Sequence, residues 1–250
     1  MHDFMTQAPV LEKAVTKLTK WAGALLLSSL CAGTSLGATE AKKLAPWVGV
    51  DFGGKLCQGK SLNYGPYDYM QRGALPDGTL RVVEQRHFTP SIEQLVDGPT
   101  TLPDIDYTLR AWPNHHRALF SMIRSISMPD IELGQKRIGP PECYLQRAIN
   151  FSPNDAMARM LFGVYLQNKK RYEEALKLYR SAELIEPENL QIKYNLGLVL
   201  SNLKQYDEAL KYANDVYARG FPLPGLRNNL KVAGYTVSGG KSSTATDQAK

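Results

Sequence analysis

The sequence predicts an all-α fold: a helical solenoid of about three helix-turn-helix units plus a capping helix, behind an irregular, aromatic-rich N-terminal region. Three observations predict it. "KRYEEALKLYRSA" at 170 to 182 and "KQYDEALKYANDV" at 204 to 216 match at an offset of 34, and a fixed period of that length marks an array whose units bury their apolar faces on one another. The same offset relates Gly163 to Gly197, Tyr172 to Tyr206, Ala175 to Ala209, Leu176 to Leu210 and Pro153 to Pro187. Composition agrees: 43% hydrophobic and 22% charged residues in a chain of 250 describe a soluble globular protein with room for a core.

The elements follow in order. Lys13, Lys17 and Lys20 precede the apolar run "WAGALLLSSLCAGTSLG", which ends in small residues before "ATEAKK". This is the layout of a signal peptide over residues 1 to 37, cleaved near Gly37 or Ala38, with a run too short for a comfortable membrane span. The expected location is therefore periplasmic or secreted, with no stable membrane span after cleavage. A long basic stretch before the apolar run leaves two alternatives open, a true start at Met5 and an uncleaved N-terminal anchor.

Cys31 falls in the leader, so Cys57 and Cys143 remain. An exported chain with two thiols favours a disulfide between them, closing a loop of 86 residues (143 minus 57) worth about 4 kcal/mol. Two separate buried thiols are the alternative.

Residues 38 to 103 lack the period and are expected to be irregular with one short helix. "NYGPYDYMQRG" suits a loop packed by its tyrosine rings, and "TLRVVEQRHF" reads as strand-like through Leu80, Val82 and Val83. Thr89 and Pro90 form an N-cap and first-turn pair that opens a helix, "SIEQLVDG", ending at Gly98. "DIDYTLRAW" reads as a further short helix that packs on the first repeat as a half-unit.

The repeat array is expected over 104 to 221. Residues 154 to 187 and 188 to 221 are full units, and 104 to 153 is a degenerate one with its half-unit. Pro187 stops a helix because it has no N–H to donate and restrains the residue before it. Stepping back 34 from Ala182 and Pro187 gives Ala148 and Pro153, so "CYLQRAINFSPND" ends an earlier second helix. Its partner begins after Pro113-Asn114. The interval from Pro113 to Pro153 is 40, the excess falling in the Pro- and Gly-bearing loop "SMPDIELGQKRIGPPE". "GLRNNLKVAGY" within 222 to 236 is the capping helix, and the Gly-, Ser- and Thr-rich stretch 237 to 250 is an expected disordered tail.

Gly163, Tyr172, Ala175, Ala182 and Pro187, with Gly197, Tyr206 and Ala209 one unit later, resemble the tetratricopeptide repeat. The resemblance implies that small residues at Gly163 and Ala175 let paired helices approach, while Tyr172 and Tyr179 fill space between units. Ala213 departs from it, standing where an aromatic is usual. The phrases "CQG…NYGPYDY", "VEQRHFTPSIEQL", "DIDYTLRAWPNHHRAL" and "PECYLQRAINFSPND" are also similar to a group of exported bacterial repeat proteins, over roughly 57 to 234. That likeness implies architecture and carries no activity.

Chemistry finds little support. His115 and His116 are adjacent, so on a helix they point about 100° apart and cannot share one metal as an i, i+4 pair can. No P-loop, dinucleotide fingerprint or H-E-x-x-H occurs. Asp104 and Asp106 suit a helix N-terminus better than acid-base work. No catalytic residue, metal or cofactor is expected; an enzyme with a site among Tyr64 to Tyr69 and His87 is the least favoured class. The net charge of +6 is spread among acids, and its densest cluster, "NKKR" at 168 to 171, falls in a turn, so no nucleic-acid partner is expected.

Binding is what such an array does. The resemblance implies groove positions at the second, fifth and ninth places of each unit: Met157, Met160 and Val164, then Gln191, Tyr194 and Leu198. In the degenerate unit they are Arg117, Phe120 and Arg124. This predicts a groove basic at one end and apolar at the other, taking a peptide or protein segment of the cell envelope. Two other readings stay open: the apolar stripe is internal packing, or the chain is a structural subunit of an envelope complex, self-association included.

Overall fold

Ten α-helices run through residues 44 to 96, 98 to 126 and 138 to 238, the residues that the computed structural model describes. The expected leader, most of the Pro- and Gly-bearing loop, and residues 239 to 250 of the expected tail lie outside them. The helices are α1 (Arg81–His87), α2 (Pro90–Glu93), α3 (Thr101–Ala111), α4 (His116–Ser125), α5 (Pro141–Phe151), α6 (Ala156–Asn168), α7 (Tyr172–Ile185), α8 (Leu190–Asn202), α9 (Tyr206–Ala218) and α10 (Gly225–Val232). Among the described residues there is no strand, only an isolated antiparallel bridge between Val50 and Leu56.

Three junctions share one conformation. Trp112, Ser152 and Glu186 close α3, α5 and α7 at φ/ψ of −131/81, −125/81 and −127/74. A proline follows each, and the N–H three residues on, at His115, Asp155 and Asn189, donates back to that closing carbonyl. The same three residues cap α4, α6 and α8, their side chains accepting backbone N–H groups of the first turn. Pro113, Pro153 and Pro187 are thus equivalent. α3 ends at the first of these junctions and α4 starts from it.

The turns inside the two full units repeat as well. Lys170 and Lys204 adopt left-handed backbone at φ 59 and 61, and the residue after each donates to the carbonyl five positions back, at 2.9 Å. Close approach of the paired helices depends on glycine. A Cβ at Gly163 would stand 2.5 Å from Cε1 of Tyr179, a fully buried ring. In the last unit Ala213 replaces that ring, and Leu226 of α10 lies over Gly197 instead. The C-terminal helix fills the volume that the missing aromatic leaves.

The N-terminal region departs from expectation. Residues 81 to 87 are helical rather than extended. Leu80 and Val83, three apart, turn one stripe towards Trp112, while Val82 is 42% exposed; the β-branched pair suggested a strand, but nothing pairs with it. Residues 38 to 103 therefore hold two short helices, not one, among the described residues. The second, α2, ends at Glu93 because buried Leu95 reverses the chain at φ 66. Thr89 caps it as the sequence predicts, accepting from the N–H of Ile92.

Cys57 and Cys143 form a disulfide. It fastens the stretch from Ala45 to Cys57 onto α5, where the bonds continue. Gln146 donates to the Val50 carbonyl, Arg147 to the Ala45 carbonyl, and the Phe52 N–H to Glu142.

Candidate binding surface

The shared junction geometry fixes the register of α4, α6 and α8, and with it the nine expected groove positions. Arg117, Phe120 and Arg124 share one stripe of α4 and are exposed, Phe120 by 45%. Met157, Val164, Gln191 and Leu198 are half-buried. Met160 and Tyr194 are buried. Tyr194 is covered by Phe221, 4.7 Å away between ring centroids, so the turn after α9 closes over that end of the row. Internal packing holds for these two positions, and the accessible part of the row is concentrated at α4.

The basic end is partly neutralised. Arg117 makes a two-pronged ion pair with Glu93, approaches Glu84 at 3.6 Å and covers the Phe88 ring. The bond from Arg117 holds the Glu93 carboxyl below its ordinary range. Arg124 lies over the Phe120 ring at 5.8 Å. It is the cation of this row left outside any ion pair among the described residues, and its contact with an aromatic face suits it to an acidic or aromatic partner.

Both histidines are structural. His115 is fully buried and caps α4 through Nδ1, which accepts the Ala118 N–H. Its proton therefore rests on Nε2, which donates to Glu84 at 3.1 Å. Burial lowers the His115 pKa and keeps the ring neutral. His116 points elsewhere, bonding both oxygens of Asp155. Asp155 also accepts Asn114 Nδ2 and the Ala158 N–H. Burial alone would raise its carboxyl; the bonds from His116, Ala158 and Asn114 outweigh that and hold it low. Asn114 goes on to bond Asp68 and the Tyr69 N–H, and Ser152 also donates to Asp68. One polar network thus ties the tyrosine-rich turn to two repeat junctions. Adjacency of the histidines was the only sign of this network in the sequence: Asn114 read as part of a repeat boundary, and Asp155 carried no signal of its own.

The side chains considered for chemistry in the N-terminal region have separate partners. His87 bonds Asp104 at 2.7 Å and stacks on Tyr107, Tyr67 packs on Trp112 and Tyr64, and Asp106 is held by Arg110 and Tyr144. No group of three or more metal-ligating side chains occurs among the described residues. Nor, among them, is any helix long and apolar enough to cross a membrane.

A cleft of about 510 Å³ opens between α7, α8 and α9, lined among others by Glu183, Lys193, Glu208 and Tyr212. Several of its polar groups are engaged: Lys193 with Asp215 at 2.6 Å, Tyr212 with Glu183 at 3.0 Å, and Glu208 with Arg180.

A family model described as anaphase-promoting complex, cyclosome, subunit 3 matches residues 140 to 216, which is α5 through most of α9. Among curated proteins no relative is found.

Proposed function

This chain is a tetratricopeptide-type repeat protein, and from that premise we propose that it is an exported binding protein whose α4 face holds a peptide or protein segment of the cell envelope. Repeats of this type serve protein–protein interaction and are generally non-catalytic. The observation that carries the finer reading is the exposed stripe of Arg117, Phe120 and Arg124, in register with the half-buried Met157, Val164, Gln191 and Leu198. A large apolar ring flanked by a cation outside ion pairing is the composition of an interface anchor. Export is supported by the basic-then-apolar leader and by the Cys57–Cys143 bond, which belongs to an oxidising compartment.

The test is crosslinking in intact cells followed by recovery from envelope fractions, comparing wild type with Phe120→Ala and Arg124→Glu. Both variants are expected to lose the crosslinked partner while folding normally. Unchanged recovery by both would remove α4 from the interface.

A second reading, a structural subunit that assembles through the array, is favoured by two apolar side chains outside the groove register. Leu184 is 86% and Val232 91% exposed. Sedimentation of wild type against a Leu184→Lys, Val232→Lys variant separates the two: a smaller particle for the variant supports assembly, and an unchanged monomer removes it.

A further inference from the structure

Away from the groove, a cleft of about 350 Å³ lies between the disulfide-held N-terminal stretch and helices α3 and α5, at the small end of the range for small-molecule sites. Its walls are apolar at Leu44, Trp47 and Leu62 and cationic at Lys60, Arg110 and Arg147, and among the described residues no carboxylate lines it. We propose that this cleft binds a small organic carboxylate with an apolar body, its anionic group received by Arg110 and Arg147.

The state of the two guanidinium groups supports this. Arg147 is only 5% exposed, yet its two hydrogen bonds run to neutral oxygens, the carbonyls of Ala45 at 2.9 Å and Leu109 at 2.7 Å. They use two of the five N–H groups a guanidinium carries. A buried cation without an anionic partner is costly, and here burial lowers its pKa to about 10, leaving it charged at neutral pH. Asp106 is the nearby acid, but it is occupied by Arg110 at 2.9 Å and by the Tyr144 hydroxyl at 2.6 Å. The charge balance around the cleft is therefore positive. Trp47 supplies the floor on which an apolar body rests. It is edge-packed on Tyr144 and covered by the Arg147 guanidinium at 4.9 Å, so the wall is formed before a ligand arrives. The carboxylate's planar oxygens match the guanidinium fork, and its body covers apolar surface that a bare inorganic anion would leave wet.

The competing explanation is that Arg147 merely staples the N-terminal stretch to α3. Calorimetric titration of the full oxidised chain with phenylacetate, phenylacetamide and inorganic phosphate separates the two. The proposal expects phenylacetate to bind, and the neutral amide and phosphate to bind at least about tenfold more weakly. Arg110→Gln and Lys60→Gln, which leave both Arg147 bonds in place, are expected to weaken phenylacetate by about tenfold and a smaller factor respectively. The Trp47 indole signal should shift with the acid alone. Equal binding of acid and amide, no binding of phenylacetate at millimolar concentration, or an Arg110→Gln variant that binds as wild type would each overturn the proposal.

Discussion

In the two C-terminal repeats the contacts run between neighbours in sequence. Tyr179 fills the space beside Gly163, Tyr179 donates to Gln167, and each turn closes on a carbonyl five residues back. In the N-terminal region the bonds span long stretches: 84 positions from Asp68 to Ser152, 86 between the cysteines and 102 from Ala45 to Arg147. The first kind of order is assembled unit by unit, since each element finds its partner within one period. The second exists only once α5 and the repeat junctions are in place, because every one of those bonds needs a donor or acceptor that the array presents. The N-terminal region is clothing fitted to the array.

That contrast can be broken most directly at the disulfide. Replacing both cysteines, Cys57→Ser with Cys143→Ser, removes a covalent closure of 86 residues and is expected to cost about 4 kcal/mol. Hydrogen exchange should quicken over residues 45 to 66 and stay slow over 156 to 218; uniform quickening would show that the two regions unfold as one.

A smaller loss is expected at the capping positions, which compare the two kinds of order at one structural place. Asp155→Ala removes a fully buried carboxylate that serves Ala158, Asn114 and His116, and should cost about 3 kcal/mol in urea unfolding. Its counterpart Asn189→Ala, a cap that bonds the N–H groups of Gln191 and Ile192, should cost about 1 kcal/mol. Equal losses would mean that the Asp68–Asn114–Asp155 network contributes nothing beyond a cap.

Within the repeats, Gly163→Ala drives a methyl against the Tyr179 ring and should cost about 2 kcal/mol. Gly197→Ala meets the branched end of Leu226, nearest at 2.3 Å. That side chain can turn aside on the short terminal helix where a buried ring cannot, so the thermal midpoint of this variant should fall less. Reversal of that order would place the tighter packing at the cap.

Acid provides a milder test. His115 is held below its ordinary 6.5 by burial, and Glu84 below 4.5 chiefly by the bond from His115. As pH falls through about 6.5 the unfolded chain takes up a proton that folded His115 refuses, so stability decreases. The contribution of Glu84 is complete above 4.5 and is lost on further acidification, in the same direction. Urea midpoints should therefore be lower at pH 5.5 than at 7.5, and a His115→Asn variant, whose side chain can still cap α4, should flatten the difference. The smallest effect on stability belongs to Arg124→Glu, within about 0.5 kcal/mol, although partner recovery should disappear.

How much of this was legible follows from the same contrast. Period 34 revealed the paired helices, and Pro113 revealed the junction from which α4 starts, because local turn chemistry sets both. The cysteine pairing was legible for a different reason: one partner remained for Cys57 once the leader was set aside. The helix at Arg81–His87 was hidden, since Val82 and Val83 carry a strand preference that contact with Trp112 overrides. Burial of Met160 and Tyr194 was hidden too. That of Tyr194 depends on the turn at Phe221, which no property of α8 announces. Arg147 gave no sign at all, for a charged residue on an amphipathic helix is ordinarily solvated.

The substitution of Leu226 for the ring absent at Ala213 has a consequence for how such an array grows. A further unit appended after residue 221 would displace α10 and leave a hole above Gly197, so lengthening at that end requires a compensating change at position 213. Duplication of residues 154 to 187 meets no such obstacle, because Gly163 and Tyr179 travel together and Pro187 would meet Asn154 and Asp155 as Pro153 now does. The array is open to expansion from within, while α10 obstructs it beyond residue 221.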